Sequence, residues 1–482
     1  MSVVTRVAPS PTGEPHVGTA YVSLFNWAWA KRNGGRFILR TEDTDRARSD
    51  TKHEEAIFDA LAWLGIEADE SSRAGGPSGP YRQSERSAIY REHTNALIAS
   101  GAAYRCFCTS ERLAELREAQ KAAKGTFGYD GLCRDIPADE SAARAANEQH
   151  VVRLRVDKSG STKFNDLLRG EIEITNDNVD DQVLLKSDGM PTYHMANVVD
   201  DHLMGVSIIM RAEEWIPSTP KHVMLYAALG WTPPIYAHVP LLRNADKSKI
   251  SKRKNPTSIL WYREHGFLPE ALVNFLALQG WSMGETDDEE FPIEDFVARF
   301  DPKDISVGGP VFDMTKLEWV NGEKIRKLSV AELAERLVSE GFAEGWTAER
   351  VEQVLPLFRE RMKTLLDFQA GARFLLERIE PDLEGLTKKL KKADPEAVSA
   401  ALLDACKELE AREGQSDDDR ENALREIAAK HELKVGALFM GLRVGITGST
   451  ASPPLLPSID ALGTGESVAR VRALAERMVV TR

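Results

Sequence analysis

The sequence predicts an α/β fold at the N-terminal end and a predominantly helical last third. Three observations carry this reading: a strand, loop, helix, strand pattern at the start, a second alternation from about residue 206, and helical apolar spacing beyond about residue 330. Val3 to Val7 is a short apolar run, and Ala8-Pro9-Ser10-Pro11-Thr12-Gly13-Glu14-Pro15 punctuates it heavily. From about Val17 the spacing turns helical through Ala20, Tyr21, Leu24, Phe25 and Ala28, until Gly34-Gly35 stops it. Arg36-Phe37-Ile38-Leu39-Arg40 then resumes as a strand, which makes one βαβ unit of a parallel sheet. Ser71 to Pro80 is the densest loop signal of the N-terminal half and points to an insertion, with the cysteine-bearing segment soon after it. Val206 to Met210 returns to the sheet, followed by helical spacing at Val223, Leu225, Tyr226 and Leu229 and a strand-like run from Ala237 to Leu242. Farther on, Leu333, Leu337, Val351, Val354, Leu355, Phe358, Met362, Leu365 and Phe368 recur at helical spacing.

Composition bounds the function. A chain of 482 residues, at about 100 to 200 residues per domain, holds two to four domains, and this excludes a single small module. The balance of 42% hydrophobic and 28% charged residues is that of a globular protein rather than a disordered one. With 62 Lys and Arg against 75 Asp and Glu, the net charge is −13, so any nucleic-acid contact must come from local basic surface. No apolar run approaches the roughly 18 to 20 residues of a membrane helix and the start lacks a secretory pattern, so a cytoplasmic protein is expected. Four cysteines, Cys106, Cys108, Cys133 and Cys406, are too few for a disulfide framework, which leaves reduced thiols or a metal site. Cys406, near Leu402, Leu403 and Leu409, reads as buried filling; Lys388, Lys389, Lys391 and Lys392, and Asp417 to Asp419, read as solvated surface.

Two strings carry chemistry. Pro9 to Thr19 lies between the first strand and the first helix, where free N–H groups and the positive dipole end favour a phosphate, and His16 can donate to a phosphoryl oxygen. Gly18 lets a flat purine approach the backbone; no GxGxxG or GxxxxGK[ST] string suggests a dinucleotide or P-loop site. The second string, Lys247-Ser248-Lys249-Ile250-Ser251-Lys252-Arg253-Lys254, brings five cations into one loop that can neutralise a leaving pyrophosphate. Taken singly, His16 reads as an ordinary cap or surface residue, and the second string reads equally as a basic surface loop or as a phosphate-binding one.

Together, P-S-P-T-G-x-x-H-x-G and K-x-S-K-R resemble the HIGH and KMSKS signatures of class I aminoacyl-tRNA synthetases, and most closely the bacterial glutamyl-tRNA synthetases. Further strings agree in order: Arg36 to Asp45, Gly189 to His194 with Val198 to Asp201, Arg211 to Trp215, Phe312 to Asn321, and Leu442 to Gly448. The resemblance implies a Rossmann-like catalytic domain in two halves, 1–103 and 191–254, around an inserted acceptor-stem-binding domain at 104–190. A stem-contact region at 255–322 and a mainly α-helical anticodon-binding region at 323–482 follow. It implies ATP-dependent ligation of L-glutamate to tRNA(Glu) through glutamyl-adenylate, with Mg²⁺ accompanying the ATP, in a monomer with no membrane partner.

Residue by residue, the resemblance makes His16 and Lys252 catalytic. It assigns Pro9, Ser10, Pro11, Thr12, Gly13, His16, Gly18, Thr19, Lys249, Ile250, Ser251, Lys252 and Arg253 to ATP. Arg6, Ser10, Glu42, Tyr193, Asn197 and Arg211 match substrate positions: Glu42 faces the α-amino group, and either arginine can hold the side-chain carboxylate. Cys106, Cys108 and Cys133 with Asp135 resemble a zinc knuckle that has histidine where Asp135 stands, and three free thiols are the alternative. Two other readings are a form that also charges tRNA(Gln) and a small-molecule adenylyltransferase of the same superfamily. The second would not require the helical third.

Overall fold

The computed structural model describes residues 2–45, 47–124, 128–251, 255–284, 289–390 and 393–480. They form two compact units, Met1–Glu264 with Pro269–Met314, and His265–Leu268 with Thr315–Arg482. The first begins with the expected βαβ unit: β1 (Val4–Val7), α1 (Val17–Arg32) and β2 (Arg36–Leu39), the strands parallel with Val4 opposite Arg36 and Val7 opposite Leu39. The Gly34-Gly35 stop has two causes. Gly34 takes a left-handed conformation at φ +57°, and a Cβ on Gly35 would collide with the Val3 carbonyl. After α2 (Thr51–Trp63), the short β3 (Glu70–Ser71) adds parallel to β2, and α3 (Ser87–Ala99) leads out of the sheet.

The next segment builds its own antiparallel sheet from β4 (Ala103–Cys106), β5 (Val151–Leu154) and, farther along, β8 (Val183–Leu185). Between β4 and β5 lie α4 (Ser110–Ala122) and α5 (Ala138–Ala145). The hairpin β6 (Ser161–Asp166) and β7 (Gly170–Thr175) departs from a self-contained insertion at 104–190. It extends the parallel sheet instead, with Asp166 opposite Tyr236. The chain returns through α6 (Tyr193–Leu203), β9 (Ile208–Ala212), α7 (Thr219–Ala228) and β10 (Ile235–Val239), in the order β7-β6-β10-β9. Ser207 donates its N–H to the Val4 carbonyl at 2.9 Å, which joins β9 to β1. Helices α8 (Ile259–Glu264), α9 (Pro269–Ala277) and α10 (Ile293–Arg299) complete the unit, with Phe25 of α1 stacked on Phe300 at 5.2 Å.

The second unit is helical throughout its regular structure among the described residues, as the apolar spacing predicts. Asn321 of α11 (Met314–Lys327) accepts from the Leu268 N–H at 2.8 Å and donates to the Lys363 carbonyl at 2.6 Å. Cys406 is fully buried on the helix Pro395–Ala411, and burial pushes its thiol up to about 11, the behaviour of apolar filling. Asp417 to Asp419 are exposed in the first turn of a helix, where their charge complements the dipole.

Candidate active site

A cavity of about 350 Å³ opens at the carboxyl ends of the parallel strands, the place where open α/β sheets take ligands. Its wall takes Arg6 and Pro9 from the end of β1, and His16, Gly18 and Thr19 from the start of α1. Glu42 enters from beyond β2, Tyr193 and Asn197 from α6, Arg211 from β9, and Lys249 with Ile250 from beyond β10. Ser10, Pro11, Thr12, Gly13 and Ser251 stand outside this wall, Pro11 lining a separate hollow with Asp50 and Glu54. Lys252 and Arg253 lie outside the described residues. Ile250 donates to the Leu242 carbonyl at 3.0 Å, and the Thr257 carbonyl accepts from Val17 at 2.7 Å.

His16 is the N-cap of α1, its Nδ1 accepting from the Gly18 N–H at 2.9 Å. That bond leaves the proton on Nε2 and makes the imidazole a donor. A Cβ on Gly18 would come within 3.0 Å of Nδ1, so clearance for the ring is a further reason for glycine there.

The two candidate arginines differ in their surroundings. Arg6 donates through Nε and Nη2 to Asp201 at 3.1 and 3.0 Å, with both residues buried. Asn197, its amide oriented by this network, accepts from Arg6 and donates to Asp201, each at 3.2 Å. Arg40 meets Asp201 at 2.8 Å and Asp200 at 3.5 Å, while Arg86 and Tyr90 close on Asp200 at 2.7 and 2.8 Å. Tyr193, Asn197 and Asp201 share one face of α6 at i, i+4 and i+8. Two acids after Val198-Val199, in a run otherwise fit for burial, are the signal that could have marked this network, because buried carboxylates require partners.

Arg211 is only 4% exposed and meets neutral groups alone: His238 Nε2 at 3.1 Å, Tyr193 Oη at 3.3 Å, His222 Nδ1 at 3.2 Å and Thr219 Oγ1 at 2.9 Å. Among the described residues no carboxylate lies within ion-pair distance of it. Glu42 presents the converse case, a carboxyl oxygen that reaches neither solvent nor a donor. Burial above all pushes the Glu42 carboxyl up to about 7, against the pull of Arg40 and Arg6. Trp215 packs on Tyr193 at 4.4 Å and closes the apolar side.

In the antiparallel sheet unit, Cys106, Cys108 and Cys133 bring their sulfurs within 4.8 Å of one another. Asp135 is not with them: its side chain is 89% exposed and pairs with Arg155 at 3.2 Å. Beside the sulfurs instead stands Tyr129, whose hydroxyl lies 3.3 Å from Cys106 Sγ and 3.5 Å from Cys108 Sγ. A sequence search confined to Cys, His and carboxylates passes over it. The signal available was a tyrosine four residues before Cys133.

The matches to known proteins follow this geometry. Residues 2–319 match the tRNA synthetases class I (E and Q) catalytic domain, and residues 329–475 match an anticodon binding domain. A glutamate–tRNA ligase of Thermus thermophilus is 48% identical over 98% of this chain and 100% of its own. One of Acinetobacter baylyi is 45% identical over 99% of this chain and 94% of its own. A crystal structure of a glutamate tRNA ligase from Elizabethkingia meningosepticum, in complex with its amino acid, superposes with a TM-score of 0.84 at 31% identity, covering 99% of this chain and 100% of that one. Sheet order, pocket and full-length likeness agree: the chain belongs to the glutamate–tRNA ligase family of class I tRNA synthetases.

Proposed function

We propose that the cavity holds L-glutamate with its side-chain carboxylate on Arg211 and its ammonium on Glu42, beside ATP whose phosphates lie over the start of α1. The observation that carries this is the pairing of a buried cation that lacks a carboxylate with a carboxyl oxygen that lacks a donor, in one cavity. Arg6, already engaged by Asp201, is the less suited of the two arginines. The substrate α-carboxylate attacks the α-phosphorus, forming the acyl-phosphate bond as the bond to pyrophosphate breaks. His16 Nε2–H and Lys252 offset the charge that builds on the phosphoryl oxygens. A ribose hydroxyl of the terminal adenosine of tRNA(Glu) then takes the glutamyl group and AMP leaves. Mg²⁺ enters with ATP as its counter-ion. The segment 104–190 grips the acceptor stem, 255–322 meets the stem beyond it, and 323–482 reads the anticodon.

Family resemblance favours activation that waits for bound tRNA. ATP–pyrophosphate exchange should therefore proceed with glutamate when tRNA(Glu) is present and stay near background without RNA, while purified tRNA(Gln) tests whether that acceptor also serves. Rapid exchange without RNA contradicts the proposal and favours the small-molecule adenylyltransferase.

Glu42 sets a pH dependence. The ammonium needs the carboxylate form, so the glutamate KM should rise as pH falls through about 7, by about tenfold at one unit below. In the ligand-free protein, stability tied to the protonated Glu42 is present at low pH and lost as pH rises through about 7. Glu42→Gln should therefore melt higher relative to the parent at pH 8 than at pH 5.5. A flat KM profile from pH 6 to pH 8 speaks against the assignment.

The cysteine group fits zinc. Cys108 and Cys133 sulfurs stand 3.6 Å apart, near the edge of a tetrahedral thiolate site, and Tyr129 supplies the fourth donor. A site closed by four protein donors has no place for substrate, so the metal would hold β4 to the Tyr129–Cys133 segment and take no part in the chemistry. Elemental analysis should find about one zinc per chain, lowered by Tyr129→Phe and unchanged by Asp135→Ala. A content far below this with the segment still folded leaves three free thiols.

A further inference from the structure

Around Arg211 three elements converge. The β9–β10 register sets His238 directly opposite Arg211, α7 contributes Thr219 and His222 from successive turns, and α6 contributes His194 behind them. A guanidinium only donates, so each atom that meets it must accept, and this fixes the tautomers. His238 Nδ1 lies 2.6 Å from Asp166 Oδ2 and gives its proton there, so Nε2 keeps a lone pair for Arg211 Nε at 3.1 Å. His222 Nδ1 accepts from Nη1 at 3.2 Å, so its proton sits on Nε2 and is donated to His194 Nδ1 at 3.0 Å. Thr219 accepts from Nη2 at 2.9 Å and passes its own proton to the Trp215 carbonyl at 3.1 Å.

We propose that His222 and His238 are positioning residues that determine specificity: as uncharged acceptors they aim the Arg211 guanidinium at the cavity while leaving its charge for the substrate carboxylate, so that the pocket prefers glutamate to glutamine. The inference rests on Arg211 being the group that holds that carboxylate. A carboxylate in place of either ring would do to Arg211 what Asp201 does to Arg6, and a neutralised guanidinium gains little from a second anion. The buried negative charge of this cluster, Asp166, is kept one ring away and spent on the far nitrogen of His238. The rings stay uncharged in these surroundings. Burial, then Lys221 and Arg211, pushes His194 down to about 4; burial, Arg211, His194, Arg6 and Lys221 hold His222 well below its ordinary range. Burial lowers His238 against the pull of Asp166, with Arg211 and Arg169 also facing it.

The test uses the full-length enzyme with tRNA(Glu) in ATP–pyrophosphate exchange, with KM and kcat read separately for glutamate and kcat/KM for glutamine. His222→Leu should raise the glutamate KM about tenfold or more with kcat and the ATP KM nearly unchanged, as for loss of one acceptor to a charged donor. His222→Asn, whose amide oxygen can occupy the place of Nδ1, should recover most of that loss. His222→Asp and His238→Glu should cut the glutamate-to-glutamine preference about tenfold or more. If these variants keep the parental KM and preference while Arg211→Ala loses both, the inference falls and the pocket reading stands. If Arg211→Ala also keeps them, the pocket reading itself falls. A His222→Asn variant as impaired as His222→Leu likewise overturns the inference, since ring packing rather than the acceptor would then be what matters.

Discussion

Arg211→Ala is expected to raise the glutamate KM by about thirtyfold to several thousandfold, the range that corresponds to losing roughly 2 to 5 kcal/mol from a desolvated charge pair. The ATP KM should hardly move, because Arg211 stands at the end of β9 and not at the start of α1. Arg6→Ala should behave differently. It strips Asp201 of its bidentate partner inside a buried network and leaves Arg40, at 2.8 Å, as its remaining cation; removing one partner from a buried ion pair costs up to about 3 to 5 kcal/mol of stability. The Arg6 variant should therefore melt markedly lower, whereas the Arg211 variant, which abandons no carboxylate, should melt nearer the parent. Steady-state exchange with tRNA and a thermal melt on each protein check both. A parental KM in the Arg211 variant would place the carboxylate elsewhere.

The second large effect belongs to the phosphate site. His16→Ala and Lys252→Ala should each lower kcat for activation by roughly 10² or more, the loss typical of one preorganised donor to a developing oxyanion, with little change in tRNA affinity. His16→Ala also removes the cap of α1, worth about 1 kcal/mol, so His16→Asn is the better control: it can keep the cap but has no imidazole N–H for the phosphate. Near-parental exchange in both alanine variants would show that charge on the phosphoryl group is met by other residues.

Much of the fold was legible because it rests on local signals. The glycine pair at 34 and 35, the apolar spacing from Val17 and the loss of strand patterns in the last third each have a direct physical cause in the structure. The hairpin Ser161–Thr175 was not legible as part of the parallel sheet. Its exposed face alternates as any hairpin does, and its strand register with β10 is a single pair, Asp166 with Tyr236, supported by the Asp166–His238 hydrogen bond. At the pocket, the sequence could name Arg6 and Arg211 but not separate them. The difference lies in partners 195 residues away in one case and on a neighbouring strand in the other, and chain order does not reveal such distances. Asp135 failed as a ligand for a related reason. Two positions after Cys133 the backbone turns its side chain to solvent and Arg155, while Tyr129 turns inward.

In the proposed pocket, charge on Arg211, held ready by neutral partners, selects the substrate. This selection is tested most directly by the ratio of kcat/KM for glutamate to that for glutamine in tRNA(Glu)-supported exchange, measured on the parent enzyme and on Arg211→Gln. The expected result is a strong preference for glutamate in the parent that falls by about two orders of magnitude or more when the guanidinium becomes an amide. An Arg211→Gln variant that keeps the parental ratio would contradict the claim.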